Sequence, residues 1–211
     1  MNNTAWITDS TSSLSKAFID AHDIHVIPLN VIINQTSYQE TIDLTEEELY
    51  QRMEKEEDMF QTSLPSLGTF VRLYEQLKQK YEYGIALHVS SKLSGTYQTS
   101  LMAAEMTGFK VYHIDSLTGS YPLGHLIRTG IRMSEQGCST DEILTHLNEL
   151  KKRNRLLLLP ENLNQLHKSG RVTGSQRLLA SLLQIQPILA VEEGKAIIKD
   201  KVRSRKKAIE K

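Results

Sequence analysis

The stretch GIALHVSSKLSGTYQTSLMAAEMTGFKVYHIDS, residues 84–116, decides the fold class. Gly84 to Val89 is apolar and β-prone, the segment from about Gly95 to Met106 is helical, and Lys110 to Ile114 is β-prone again. Strand, helix and strand with so short a crossover is the unit that joins neighbours in a parallel sheet, so a parallel α/β sheet is expected. Two β-prone runs precede it. Ala5 to Thr8 ends in Asp9-Ser10-Thr11. His25 to Ile33, rich in Val and Ile, reads as one strand in which Pro28 marks an edge or a bend.

Helix signals fill the intervals. Thr45 with Glu48 and Ser139 with Glu142 have the spacing of capping boxes, and Leu44 with Leu49 that of a hydrophobic staple. Leu67, Phe70, Val71, Tyr74 and Leu77 form an apolar stripe after Ser66. Leu123, Ile127 and Ile131, and then Ile143, Leu147 and Leu150, form two more. Such stripes are core rather than cofactor boxes.

From Lys151 the texture changes. A polar junction, Lys151 to Arg155, leads into Leu156 to Leu159, read as a buried strand stopped by Pro160. Ile185 to Val191 and Ala196 to Val202, around Glu192-Glu193-Gly194, read as a hairpin. The organisation expected is an N-terminal parallel-sheet α/β domain over 1–155 and a second α/β domain from 156 to 211. The second has too few elements to close its own core. Ser204 to Lys211 is basic and helix-prone without a C-cap signal, so early termination relative to a longer protein is expected.

Composition narrows the class. The 211 residues carry 25 basic and 25 acidic side chains, so a nucleic-acid binder acting through net positive charge is not expected. The cancellation is uneven: residues 37–60 have a net charge of −7 and residues 195–211 of +6. Each is a solvated face or a docking surface for a charged partner. Lone Cys138 excludes an internal disulfide framework or a multi-Cys zinc cluster. No apolar run approaches membrane-spanning length and no signal peptide is read, so a cytoplasmic globular protein is expected.

Chemistry concentrates at strand ends. Asp9-Ser10-Thr11, Ser90-Ser91 and Asp115-Ser116 each follow a strand, and open parallel sheets bind ligands beyond the carboxyl ends of their strands. In Ser90-Ser91-Lys92-Leu93-Ser94-Gly95-Thr96-Tyr97, Ser94 stands where a helix N-cap is wanted, and Gly95 lets a ligand approach the backbone. Ser94 is thus an ordinary cap or a donor to a carboxylate or phosphate. Thr62, in Gln61-Thr62-Ser63-Leu64-Pro65-Ser66, lies too far upstream to cap the next helix, so its hydroxyl faces a ligand or makes a local turn bond. Arg171, between Gly170 and Val172, clamps an anion, caps a helix or lies on the surface. Dinucleotide, Walker and nucleophile-elbow motifs are absent, and His22-Asp-Ile-His25 lacks a metal-binding arrangement. His88 and His113 are buried rings or crevice residues.

Taken together, Asp9-Ser10-Thr11, Thr62-Ser63-Leu64-Pro65-Ser66, Ser90 to Tyr97, Asp115-Ser116 and Gly170-Arg171-Val172 resemble, in order and spacing, the DegV family of bacterial fatty-acid-binding proteins. The resemblance covers essentially the whole chain. It implies a two-domain fold enclosing an acyl chain such as hexadecanoate. It also implies a carrier rather than an enzyme, presenting the fatty acid to a fatty acid kinase that forms an acyl phosphate. Carried over by motif, Thr62 and Ser94 hold the carboxyl group, with Ser63, Gly95, Thr96, Ser116 and Arg171 as secondary candidates. No catalytic residue, cofactor, metal, nucleic-acid partner or integral membrane segment is implied. A family histidine that helps at the carboxyl end has no counterpart in this sequence.

Tail burial is worth roughly 0.8 kcal/mol per methylene, so the polar end need only satisfy the carboxyl group. Two alternatives stand beside the carrier. One is a serine acyl hydrolase with Ser94 as nucleophile and His88 or His113 as base. The other is a lipid-free protein that docks a kinase through its charged faces.

Overall fold

The computed structural model describes residues 3–55, 60–161, 169–172 and 185–210. Lys168, Thr173 and Gly174 of the Arg171 loop, acidic Glu56, Glu57 and Asp58, and Lys211 of the basic tail lie outside them. The strands described are β1 (Thr4–Asp9), β2 (Ile24–Ile27), β3 (Asn30–Ile33), β4 (Thr36–Gln39) and β5 (Phe60–Ser63). They continue with β6 (Tyr83–His88), β7 (Val111–Asp115), β8 (Leu156–Leu158), β9 (Gln186–Glu192) and β10 (Lys195–Val202). The helices are α1 (Lys16–Ala21), α2 (Glu46–Lys55), α3 (Leu67–Lys78), α4 (Thr96–Thr107), α5 (Ser120–Glu135), α6 (Thr140–Leu150) and α7 (Arg205–Ile209). None is long and apolar enough to cross a membrane.

The parallel sheet forms as expected, in the order β2-β1-β6-β7, with α4 crossing between β6 and β7. Both its faces are covered, so its strands are nearly continuous in apolar residues. Ala5, Ile7, Ile27 and Ala86 pack on Phe70, Tyr74 and Leu77 of α3 and Ala103 of α4. Trp6, Ile85, Leu87 and Ile114, on the opposite face, pack on Leu123, Leu126 and Ile127 of α5 and Leu147 of α6. The capping boxes form at both expected places, Thr45 with Glu48 and Ser139 with Glu142. Leu44 and Leu49 meet in one cluster, as the staple spacing requires.

Two expectations are corrected. His25 to Ile33 is two strands, not one. The chain leaves the parallel sheet after Ile27 and enters β3, the centre of an antiparallel sheet β4-β3-β5. Pro28, without an N–H, cannot continue the ladder. β4 and β5 had no signal as strands because Thr36–Gln39 and Phe60–Ser63 are short and polar, and both are strands by pairing with β3. The second correction concerns Leu156 to Leu159. Its strand, β8, is an edge of the sheet β10-β9-β8, and Leu157 is 63% exposed. A run of leucines says apolar, not buried. The hairpin β9–β10 forms around Glu193 and Gly194, both at positive φ (48° and 81°), as a two-residue turn with strand-matching twist requires.

Close approach fixes how α5 sits on the sheet. A Cβ at Gly124 would lie 2.3 Å from the backbone oxygen of Ser12, which cannot move aside without displacing the turn after β1. Gly124→Ala is therefore expected to destabilise the fold by about 1–3 kcal/mol in urea unfolding. Gly68→Ala, near the start of α3, meets nothing closer than 3.6 Å and should be neutral or stabilising by up to about 1 kcal/mol. Equal effects at the two positions would refute the close-packing account.

Candidate functional site

The carboxyl ends of β1, β6 and β7 are adjacent, so the three polar strand ends read from the sequence meet. Two carboxylates tie them together. Asp9, fully buried, accepts from the Val89 N–H at 2.9 Å and from the Thr11 N–H and hydroxyl at 3.1 and 2.5 Å. Asp115 accepts from the Ser91 N–H at 3.2 Å and the Ser91 hydroxyl at 2.6 Å. The β6–α4 loop is thus held from both neighbouring strands. A third hold comes from the second sheet, where the Ser90 hydroxyl donates to the Gly194 carbonyl at 2.8 Å and Lys92 Nζ to the Glu193 carbonyl at 2.7 Å.

Against this loop opens a cavity of ≈ 570 Å3. Thr62, Ser63, Ser94, Gly95 and Arg171 all line it, with Thr11, Leu29, Leu64, Val89 and Leu93 among its other walls. Segments 32 residues apart in sequence, at Thr62 and Ser94, therefore face one space. Thr62 gets there because β5 pairs with β3, Thr62 opposite Val31. A second cavity of ≈ 440 Å3 shares Thr62 and Arg171 and is lined by apolar Val31, Leu49, Met53 and Phe60. A third, of ≈ 260 Å3, shares Val31 and Leu49 and adds Leu14, Tyr38 and Leu44. The space at Ser94 and Thr62 thus adjoins lining beside the antiparallel sheet that is apolar at Val31, Leu49, Met53 and Phe60 and polar at Glu40 and Gln61.

Ser94 is not the helix cap expected from the sequence. Gly95 takes the N-cap place of α4, and Ser94 stands one residue before it. Ser94 Oγ lies 2.8 Å from the Thr96 hydroxyl and 3.4 Å from the Thr96 N–H. The Thr96 N–H donates to Ser94 Oγ, and either hydroxyl can donate in the other contact; with the Thr96 hydroxyl as donor, the single proton of Ser94 is left for a ligand. The Thr62 hydroxyl makes no hydrogen bond among the described residues, so it too can donate. Fully buried Thr96 supports Ser94 from below rather than lining the cavity. Ser116 is also buried, away from the lining, and accepts the Thr118 N–H at 3.2 Å while donating to the Thr118 carbonyl at 3.1 Å. It shapes the β7–α5 loop. The Arg171 side chain reaches the cavity with Nη1 donating to the Ser169 carbonyl at 2.5 Å.

His88 and His113 are not crevice residues, and neither bonds Ser94. His88 Nδ1 faces Asp9 at 3.1 Å, and its Nε2 faces Ser100 Oγ at 3.0 Å. His113 Nδ1 donates to the Val111 carbonyl at 3.1 Å, and its Nε2 faces the same Ser100 Oγ at 3.1 Å. The Ser94–His pairing a hydrolase needs is therefore not formed. Among the described residues, no cluster of three His, Cys, Asp or Glu side chains could hold a metal ion.

The family described as "Uncharacterised protein, DegV family" matches residues 3–211. A DegV domain-containing protein of Staphylococcus aureus is 38% identical over 204 residues, which is 97% of this chain and 73% of the relative. The crystal structure of DegV, a fatty acid binding protein from Bacillus subtilis, superposes with a TM-score of 0.90 at 33% identity, over 100% of this chain and 75% of that one. A fatty-acid-binding DegV family protein from Thermus thermophilus gives 0.89 at 29% identity, over 100% and 75%.

Burial, and secondly the neighbouring His88, lowers the pKa of His113 from 6.5 to about 4. The folded value lies below the unfolded one, so the unfolded chain takes up this proton first as pH falls. The stabilisation is complete above the unfolded value and is lost as pH drops from 6.5 toward 4. For a partly exposed ring this should lower unfolding stability by about 1–2 kcal/mol between pH 7 and pH 5 in urea titrations. His113→Gln keeps an acceptor near Ser100 and should remove most of that slope. A variant with the parental slope would count against the assignment.

Proposed function

The chain belongs to the DegV family, and on that premise we propose that it is a carrier that binds a long-chain fatty acid in the cavity beyond β1 and β6. One observation carries the reading: Thr62 of β5 and Ser94 of the β6–α4 loop line one cavity, and the space next to it is walled by Val31, Leu49, Met53 and Phe60. A fatty acid has this division, a small polar end and a long tail. Thr62 and Ser94 donate to the carboxyl group. The N-terminus of α4 adds a favourable partial charge for an anion. The tail runs along Val31, Leu49, Met53 and Phe60, where each buried methylene contributes roughly 0.8 kcal/mol. The relatives of known structure named for fatty-acid binding support the same assignment.

The finer parts of the proposal rest on the exposed position of Thr62 and on the resemblance to the family. Thr62 is solvent-exposed, so the carboxyl end stays within reach of a second protein while the tail is covered. Presentation to a fatty acid kinase uses this exposed end. The fatty acid is ligand rather than substrate, so the role calls for no cofactor and no catalytic residue in this chain. Residues 1–155 supply the carboxyl site, and the unit beginning at 156 covers it through the β9–β10 turn.

Native mass spectrometry of the purified protein, with lipid extraction, should show a fatty acid that exchanges with added hexadecanoate. Thr62→Ala and Ser94→Ala each remove one hydrogen bond to a charged group and should weaken binding roughly ten- to a hundredfold. A protein that neither carries nor exchanges fatty acid would reject the proposal.

A further inference from the structure

Beneath the cavity lies a buried chain of polar groups that ligand contact does not explain. It runs from Asp9 on β1 through His88 on β6 to Ser100 on α4, where Tyr74 of α3 and His113 of β7 join it. Asp9, His88, Ser100 and Tyr74 are fully buried. Their protons can be counted. The Val111 carbonyl only accepts, so His113 Nδ1 carries a proton, and because burial keeps the ring neutral its Nε2 is bare toward Ser100. Ser100 must spend its single proton there. Its oxygen then accepts from Tyr74 at 2.5 Å and from His88 Nε2 at 3.0 Å. Both lone pairs of Ser100 are used, and His88 Nε2 carries a proton.

The other nitrogen of His88 faces Asp9 Oδ2 at 3.1 Å. Both oxygens of Asp9 already accept, from Val89 and from Thr11, so the carboxylate is an acceptor and Nδ1 is the donor. The remaining neighbours of His88 leave this unopposed. Phe70 of α3 presents a ring at 5.5 Å between centroids. Asp115, its register partner on β7, is committed to Ser91 and Leu117. Among the described residues, Asp9 is thus the single carboxylate bonded to His88. Thr11 and Val89, which Asp9 holds, both line the cavity. An uncompensated negative charge directly below that wall would repel a ligand carboxylate across a medium of low dielectric constant.

We infer that Asp9 and His88 form a charge-compensating pair under the carboxyl site, His88 holding a proton on each ring nitrogen, so that the cavity accepts an ionised fatty acid rather than only an uncharged lipid. The inference rests on the fatty-acid reading for its ligand, not for its proton count. His88 is a positioning residue that acts through Asp9 and touches no ligand.

His88→Asn tests it, because the Asn amide still donates toward Asp9 but carries no charge. Binding of hexadecanoate at pH 7.5 should weaken tenfold or more, while binding of hexadecanol, which has no charge, should change by less than twofold. Equal weakening of the two lipids, or no change in either, overturns the inference. The second measurement needs no variant: nitrogen-15 spectra of the histidine rings in the parental protein at pH 7.5. Two protonated nitrogens on His88 support the assignment, and one bare nitrogen overturns it. If the parental protein binds neither lipid, the fatty-acid reading fails, and the spectrum alone decides the proton count.

Discussion

A carboxylate sealed from water must find every hydrogen bond inside the protein, and the floor of this cavity follows from where Asp9 finds its own. Leaving such a group unsatisfied would cost more than most single interactions provide. Asp9 takes the Val89 N–H from the neighbouring strand and two donors from Thr11 on its own turn. Those bonds turn the chain after β1 and set where the β6–α4 loop begins. Ser10, next to Asp9, extends the same logic outward. Its hydroxyl receives the Leu29 N–H at 2.9 Å and donates to Glu40 at 2.5 Å, anchoring the passage from the parallel to the antiparallel sheet. Thr62 stands opposite Ser94 because that passage is anchored.

The second sheet reaches the site by backbone rather than by side chain. The β9–β10 turn presents two carbonyls, at Glu193 and Gly194, to Lys92 and Ser90. Gly194 has to be glycine on two counts, a φ of 81° and an ideal Cβ only 2.5 Å from Ser90 Oγ. Leu93 adds an apolar contact to Val172, Leu189 and Ala196. The β6–α4 loop, residues 89–95, is therefore held by β1, β7 and the hairpin at once. That triple hold makes a rigid place for Ser94, although Ser94 itself is on a loop.

Much of this is legible in the sequence. The strand–helix–strand pattern of residues 84–116 is local, and it forced a parallel sheet. Capping boxes are local too, since Ser139 and Glu142 need only each other. Convergence of Asp9, Ser90 and Asp115 followed from the rule that parallel strands end on one side. What failed was non-local. β4 and β5 are strands only because β3 lies between them. Leu157 is apolar yet exposed on β8, which among the described residues is an edge, and edges are set by strand order. The partners of His88 and His113 come together at Ser100, a helix residue whose phase against the sheet no strand pattern encodes.

The absence of a cation bonded to Ser94 or Thr62 among the described residues has a physical sense on the proposed reading. Lys92 Nζ is engaged by the Glu193 carbonyl, and Arg171 donates to the Ser169 carbonyl within its own loop. A bidentate arginine on the ligand carboxylate would bind it strongly and also withdraw electron density from its oxygens. A carrier gains its affinity from the tail, so its polar end can be weak without loss. On the proposed reading, two hydroxyls and a helix N-terminus suffice for the carboxylate and leave lone pairs exposed toward the Thr62 side. On the inferred proton count, His88 neutralises Asp9 one layer deeper, so the floor of the site repels no carboxylate and no cation need touch the group that a partner would have to reach.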